Sequence, residues 1–135
     1  MVYMLDTDTA SYIIKGPPPA LEAKLVTILP SDLCISVMTR AELRYGLKRL
    51  PREHRLHAAV RQFLGIVRTL PWDSEAADLY ADIRHQLKTS GQPVGELDMM
   101  IAAHSLSVGA VLVTNNSRHY QCIEAPLILE NWMEP

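Results

Sequence analysis

Short apolar runs alternate along the chain with longer segments in which apolar residues recur every three or four positions. Runs typical of buried strands fall at residues 2–5, 33–37, 67–72 and 110–114, with a last edge strand at 126–129. Helical spacing lies between them, as at Leu43, Leu47 and Leu50. Strands that alternate with helices predict right-handed crossovers. We therefore predict an α/β fold, a three-layer α/β/α sandwich with a mainly parallel central sheet.

Residues at the ends of these segments predict where the helices begin. Asp8 or Thr9 is expected to cap the first helix, Thr39 to open the helix after the second strand, and Asp73 or Ser74 to cap a later one. Gly95 or Glu96 is expected to start the following helix, Ser90-Gly91-Gln92-Pro93 to close the one before it, and residues 115–120 to form a polar loop.

Length and composition predict one domain over residues 1–135, because 48% apolar residues suffice for a single core. The apolar run before Asp6 is too short for a signal peptide, and His104 interrupts the longest apolar region. We expect a soluble, cytoplasmic protein with no membrane partner. Cys34 and Cys122 belong to no zinc-binding motif and are interpreted as free thiols.

Positive charge is concentrated in one stretch although the formal net charge is −2. Residues 40–68 have a balance of +6 and the rest of the chain −8. Such asymmetry suits a polyanion beside an acidic centre, and a solvated helical face is the alternative. The basic residues are Arg40, Arg44, Lys48, Arg49, Arg52, Arg55, Arg61 and Arg68.

Three acids, Asp6, Glu42 and Asp98, each lie where a strand or turn leads into a helix. Ligand crevices of open α/β sheets lie beyond the carboxyl ends of the strands, where such acids can converge. Converging carboxylates repel one another unless a cation neutralises them, and a hard divalent metal prefers oxygen ligands. Each acid also has a structural interpretation: a strand end for Asp6, a capping box from Thr39 to Glu42, and a helix dipole for Asp98.

Four motifs carry a family resemblance that spans nearly the whole chain. They are M-L-D-T-D at 4–8, T-R-A-E-L-R-Y-G at 39–46, G-Q-P-V-G-E-L-D-M-M-I-A-A-H at 91–104 and L-V-T-N-N-S-R-H-Y at 112–120. With these motifs the chain resembles the PIN-domain ribonucleases, and specifically the VapC-type toxins of prokaryotic toxin–antitoxin pairs. The resemblance implies one PIN-like domain.

The resemblance also implies a catalytic site. Asp6, Glu42 and Asp98 would bind Mg²⁺ or Mn²⁺, and Asn116 stands where the family often has a fourth acid. Its neutral amide leaves open a second metal or a role in orienting water or phosphate. His119 is a candidate for the edge of the site, and Asp8 supports the ligands or caps a helix.

The implied activity is metal-dependent hydrolysis of RNA, with structured RNA such as tRNA as the expected substrate class. Arg40, Arg44, Lys48 and Arg49 are the candidate RNA-binding residues. The implied partners are a VapB-like antitoxin and a second copy of the chain in a homodimer. A catalytically inert PIN-like binding module is the alternative. A haloacid-dehalogenase-type phosphatase is a weaker one, because the late motif of that class is missing.

Overall fold

The computed structural model describes residues 1–92 and 94–134; Pro93 and Pro135, which belong to the predicted helix-closing segment and the predicted domain, lie outside the described residues. Five strands and seven α-helices form within those ranges, with a 3-10 turn at Pro30–Asp32. In chain order the elements are β1 Tyr3–Leu5, α1 Thr7–Lys15, α2 Pro19–Leu25, β2 Leu33–Ser36, α3 Val37–Leu47, α4 Arg55–Ile66, β3 Arg68–Leu70, α5 Ser74–Ser90, α6 Glu96–Val108, β4 Val111–Val113, α7 Ser117–Tyr120 and β5 Leu129–Glu130.

The five strands form one parallel sheet in the order β3-β2-β1-β4-β5. Met4 of β1 pairs with Cys34 of β2 on one side and with Leu112 of β4 on the other. The chain thus adds β2 and β3 on one side of β1, and then adds β4 and β5 on the other side. The predicted α/β class and the parallel sheet are confirmed.

Alternate residues of the central strands enter two separate cores, as the two-residue period of a strand requires. Met4, Cys34 and Leu112 pack with α5 and α6 on one face. Their successors Leu5, Ile35 and Val113 pack on the other face with residues of α1, α2 and α4. Every one of these six side chains is fully buried. Because both faces are covered, the strands are continuously apolar, and the three-layer arrangement follows.

Two helix caps differ from the expectation. Asp6, not Asp8 or Thr9, caps α1, because its Oδ1 accepts a hydrogen bond of 2.8 Å from the Thr9 amide. Ser36, not Thr39, caps α3 and accepts from the Met38 amide. Each strand therefore passes into its helix without a connecting loop. Asp73 caps α5 as predicted.

The segment after β4 is also different from the prediction. Residues 117–120, expected as part of a polar loop, form the short helix α7, and its last residue Tyr120 is buried. Tyr120 and Ile123 are both buried and three residues apart, which is a helical spacing that the polar neighbours conceal. The edge strand begins later than expected, at Leu129 rather than at position 126.

Three further expectations concern the two cysteines, membrane-spanning helices and the start of α6. Cys34 and Cys122 are free, and burial raises the pKa of Cys34 to about 11, so it is unreactive at neutral pH. In the described part of the chain, no helix has the length and apolar character needed to cross a membrane. Gly95 precedes α6, as predicted.

A buried polar link joins α6 to the beginning of α3. His104 of α6 is fully buried, and its Nδ1 lies 2.7 Å from the Ser36 hydroxyl, which also accepts from the Met38 amide. The two helices that carry Asp98 and Glu42 are thereby fixed to each other through the end of β2. Burial lowers the pKa of His104 below its ordinary value, an effect that the Pro71 carbonyl and Asp73 only partly oppose.

This link predicts an acid-sensitive contribution to stability. Because the folded protein holds His104 neutral, its contribution is fully present above the ordinary pKa of 6.5 and is lost as pH falls from there toward the lowered folded value. The loss can reach about 1.4 kcal/mol per pH unit. Chemical denaturation of wild type and His104→Asn between pH 8 and pH 5 should give a stability difference that shrinks on acidification. A constant difference would contradict the buried neutral imidazole.

Candidate active site

The site lies where the chain order of the strands reverses, between β1 and β4. The Asp6 amide donates a hydrogen bond of 3.0 Å to the Val113 carbonyl, so the residues that follow the two strands begin side by side. In open α/β sheets this switch point, at the carboxyl ends of the strands, is where ligands bind. Asp6 follows β1 there, and Thr114 to Asn116 follow β4.

Asp6 is a buried carboxylate, 5% exposed. Burial raises the pKa of its carboxyl above the ordinary value, and hydrogen bonds from Thr114 and Thr9 oppose the rise only in part. The neighbouring Asp8 raises it further. Holding Asp6 ionised therefore costs free energy in the chain alone, and a cation at this position would recover it.

Asp98 lies in the first turn of α6, which runs against the strands and so starts at the same edge of the sheet. Its Oδ2 is 3.0 Å from Nε2 of His119 on α7, and both side chains are partly exposed. The carboxylate thus has a fixed neighbour on one side and an open approach on the other.

Tyr120 brings a second group from α7 to the same acids, and the sequence analysis did not identify it. Its hydroxyl is buried and has no hydrogen-bond partner of good geometry among residues 1–92 and 94–134. Burial raises the pKa of this hydroxyl far above its ordinary value, and Asp98, Asp6 and Asp8 raise it further. The Tyr120 hydroxyl therefore remains a neutral donor close to the candidate carboxylates.

Glu42 lies in the middle of α3 and is exposed. The capping-box interpretation is wrong, because α3 starts at Val37 and Glu42 is in its second turn. Its carboxylate lines a groove between α1, α3 and α4 with a volume of about 460 Å³, together with Thr7 and Tyr45. Thr7 also meets Thr39, with 3.1 Å between the hydroxyl oxygens, which joins the beginnings of α1 and α3.

Asp6, Asp8 and Asp98 lie close enough to Tyr120 to raise its pKa, but the candidate acids do not form a closed metal cage. Within the described ranges, no three His, Cys, Asp or Glu side chains lie close enough together to hold an ion. The donors at this edge are nevertheless oxygen atoms, namely the carboxylates of Asp6 and Asp98 and the unpartnered Tyr120 hydroxyl. This chemistry suits a hard divalent cation, which accepts oxygen ligands and retains water molecules.

The other predicted residues lie at the beginning of α7, along α3 and just beyond α3. Asn116 is exposed at the start of α7, and its backbone amide donates to the Thr114 hydroxyl. Arg40 is half-buried and reaches Thr69 of β3 at 3.5 Å. Arg44, Lys48 and Arg49 are exposed toward the end of α3 and just beyond it.

Comparisons with known proteins agree with this geometry. Residues 3–123 match the PIN domain family. The chain belongs to the PIN-domain family. Among PIN-domain proteins, it is 37% identical to the tRNA(fMet)-specific endonuclease VapC of Salmonella typhimurium, over 96% of this chain and 97% of that protein. It is 34% identical to the ribonuclease VapC2 of Haemophilus influenzae, over 97% of this chain and 98% of that protein.

Solved structures of VapBC proteins are also similar to this PIN domain. The DNA-bound VapBC structure from Salmonella typhimurium superposes with a TM-score of 0.89 at 36% identity, covering 98% of each chain. The VapBC2 structure of Rickettsia felis, bound to a DNA fragment from its promoter, gives 0.87 at 30% identity and covers 98% of this chain and 99% of that one. The predicted resemblance to VapC-type PIN domains is confirmed.

The double role of Asp6 predicts opposite effects for two substitutions in metal-free protein. Asp6→Asn keeps an acceptor for the Thr9 amide and removes a buried charge, so stability at pH 7 should equal or exceed that of wild type. Because the folded pKa is raised, this gain should shrink as pH falls through the folded pKa and disappear below about 3.8, where the wild-type carboxyl becomes protonated in both states. Asp6→Ala also loses the cap and should be about 1 kcal/mol less stable than Asp6→Asn. Urea denaturation measures both differences, and equal stabilities would contradict the cap.

The unpartnered hydroxyl predicts that Tyr120→Phe is not destabilising. In the described residues the Tyr120 hydroxyl has only a loose contact with Asp98 and no well-aligned hydrogen bond, so its removal should be neutral or favourable. Tyr80→Phe is the matched control, because the Tyr80 hydroxyl accepts a hydrogen bond from Arg84 at 3.2 Å, and its loss should cost up to about 1 kcal/mol. Thermal denaturation compares the two. A larger loss for Tyr120→Phe would indicate a hydrogen-bonded hydroxyl.

Proposed function

We propose that this protein is the endoribonuclease toxin of a VapBC-type pair, which hydrolyses RNA phosphodiester bonds and is neutralised by a VapB-like antitoxin. The observation that carries the proposal is the pair of acids at the switch point, Asp6 and Asp98, with the Tyr120 hydroxyl beside them. Support comes from relatives named as ribonucleases that align along almost the whole chain. One of them is named for tRNA(fMet), which makes tRNA the first substrate to try.

The cation in this proposal is Mg²⁺ or Mn²⁺, held by Asp6, Glu42 and Asp98. The bound ion would supply Lewis-acid activation of the phosphodiester and compensate the charge of the carboxylates. Glu42 is free to turn toward the other two acids because it is exposed and has no ion-pair partner in the described residues. Asn116 is the fourth member of the proposed set, through an amide that adds no charge.

Two residues of α7 are placed to orient the carboxylates of this proposed site. His119 is placed to fix the Asp98 carboxylate by a hydrogen bond, and such outer partners commonly change metal affinity 10- to 100-fold. Tyr120 adds a neutral hydroxyl donor beside the same acids. The activity needs no cysteine nucleophile, and the buried Cys34 thiol is held protonated.

The proposed partner is an antitoxin of the VapB type, since the solved relatives are VapBC complexes. The groove that contains Glu42 would receive part of it, and an arginine from the partner could replace the cation among the carboxylates. A homodimer remains part of the proposal. An inert binding module would share the fold and the partner but would not cleave RNA.

The proposal predicts that Asp98→Asn and Glu42→Gln each lower RNA cleavage by at least about 100-fold, because even outer partners of a metal cost 10- to 100-fold. Both changes remove a charged ligand while keeping side-chain size. Gel analysis of tRNA cleavage with Mg²⁺, Mn²⁺ or EDTA measures the effect.

Expression of wild type alone should arrest growth, and co-expression of the antitoxin should restore growth.

Asp78→Asn and Asp82→Asn are the matched controls, since both acids are exposed on α5. They make the same chemical change away from the site and should cleave RNA like wild type. Circular dichroism should show all four variants folded. Wild-type activity in Asp98→Asn, or cleavage that persists in EDTA, would overturn the proposed site.

A further inference from the structure

A second cluster of functional side chains lies between α3 and α4, apart from the acids. Arg44 and Lys48 from the end of α3 and His57 and Arg61 from α4 line one small cavity of about 140 Å³. Among the described residues, Leu47 is the only apolar one that lines it. We call these four basic side chains, Arg44, Lys48, His57 and Arg61, the basic cradle.

The positive charge of the basic cradle is not neutralised by the protein. No carboxylate lines the cavity, and none of its four side chains forms an ion pair within residues 1–92 and 94–134. His57 is held in place, because its Nε2 lies 3.3 Å from the Leu50 carbonyl. Cationic groups that face one cavity repel one another, so their convergence favours an anion between them.

Helix dipoles explain only half of this arrangement. Cations near the end of a helix are favourable, which accounts for Arg44 and Lys48 on α3. His57 lies in the first turn of α4 and Arg61 in the middle of that helix, so the dipole of α4 does not explain a basic side chain at either position. An anion bound beside His57 would be favoured, because anions are stabilised at helix beginnings.

The basic cradle continues into the groove that contains Glu42. Leu47 lines both cavities, and Arg49 lines the groove beside Glu42. Along the axis of α3, Arg44 and Lys48 lie about 3 Å and 9 Å beyond Glu42, and they project roughly 200° and 240° round the helix from it. The basic cradle is therefore a separate contact point, on a different side of α3 from Glu42.

We propose that the basic cradle is a subsite for one phosphate of the RNA backbone, distinct from the phosphate that is cleaved. This proposal rests on the proposed ribonuclease function. Arginine forks and a lysine ammonium suit phosphate oxygens, and the small volume suits one phosphate group rather than a folded peptide segment. Such contacts set affinity and register but do not read sequence.

The test compares Lys48→Gln/Arg61→Gln with the matched control Arg52→Gln/Arg55→Gln. Both double variants lose two positive charges from the same stretch, but Arg52 and Arg55 are exposed and do not line the cavity. Binding of tRNA is measured in an Asp98→Asn background over a range of salt concentrations, so that cleavage does not interfere. The cradle variant should bind about tenfold more weakly at low salt, with a salt slope smaller by about 0.7 to 0.9, the value for one phosphate. The control should retain the wild-type slope.

Two further readouts separate this subsite from the nuclease activity itself. With Asp98 intact, the cradle variant should show a raised KM for RNA and an unchanged kcat, whereas loss of the proposed function would remove cleavage from wild type as well. Titration of metal-free protein with inorganic phosphate should shift the His57 ring signals in NMR spectra of wild type and control but not of the cradle variant.

Equal RNA binding by the two double variants would overturn the proposal. So would a cradle variant that binds RNA normally but loses affinity for an acidic peptide, because the surface would then be a protein-docking site. A phosphate titration that leaves the His57 signals of wild type unmoved would also contradict the subsite.

Discussion

The pairing of β1 with β4 is the constraint on which the rest of the site depends. The two strands are far apart in the sequence, yet Leu5 and Val113 are partners in register, and the Asp6 amide donates to the Val113 carbonyl one step further on. This register brings Asp6 to the segment that leads into α7. Without it, Tyr120 could not lie near Asp6, the acid that follows the first strand.

The site carries an electrostatic cost that the fold alone does not remove. Asp6 is buried, and its carboxyl resists ionisation even though it caps α1 and meets Thr114. Tyr120 is held neutral beside it, and its buried hydroxyl forms no well-aligned hydrogen bond within the part of the chain that the structure describes. Costs of this kind concentrate at functional sites, where a ligand supplies the missing interactions.

Charge is divided between two places along α3. Glu42 lines the groove between α1, α3 and α4, whereas Arg44 and Lys48 lie farther along the same helix and meet His57 and Arg61 from α4. One rigid helix thus presents an acidic group for a proposed cation and basic groups for a proposed phosphate at a fixed separation. Residues 40–68 have a charge balance of +6 although the overall formal charge is −2, and the structure places part of that positive charge around one cavity.

The sequence by itself determined the fold class and the family, and it predicted the three acids as metal ligands. Apolar runs such as residues 110–114 are long enough and bounded clearly enough to identify buried strands, and the motifs around Asp6, Glu42 and Asp98 are local. It also placed Asp73 correctly as a cap, because that signal depends only on neighbouring residues. Patterns within a few residues of one another are what a sequence records directly.

Only the tertiary structure decided which groups meet. The partner of Asp98 is His119, 21 positions away in the chain, and His57 meets Lys48 only because α4 packs against α3. Tyr120 lies among polar neighbours that predict a loop, and its burial depends on a core supplied by α5 and α6. Asp6 caps α1 because β1 ends where the helix begins, which placed the cap two residues earlier than composition predicted. Contacts between distant segments follow from packing, and packing is not encoded in local periodicity.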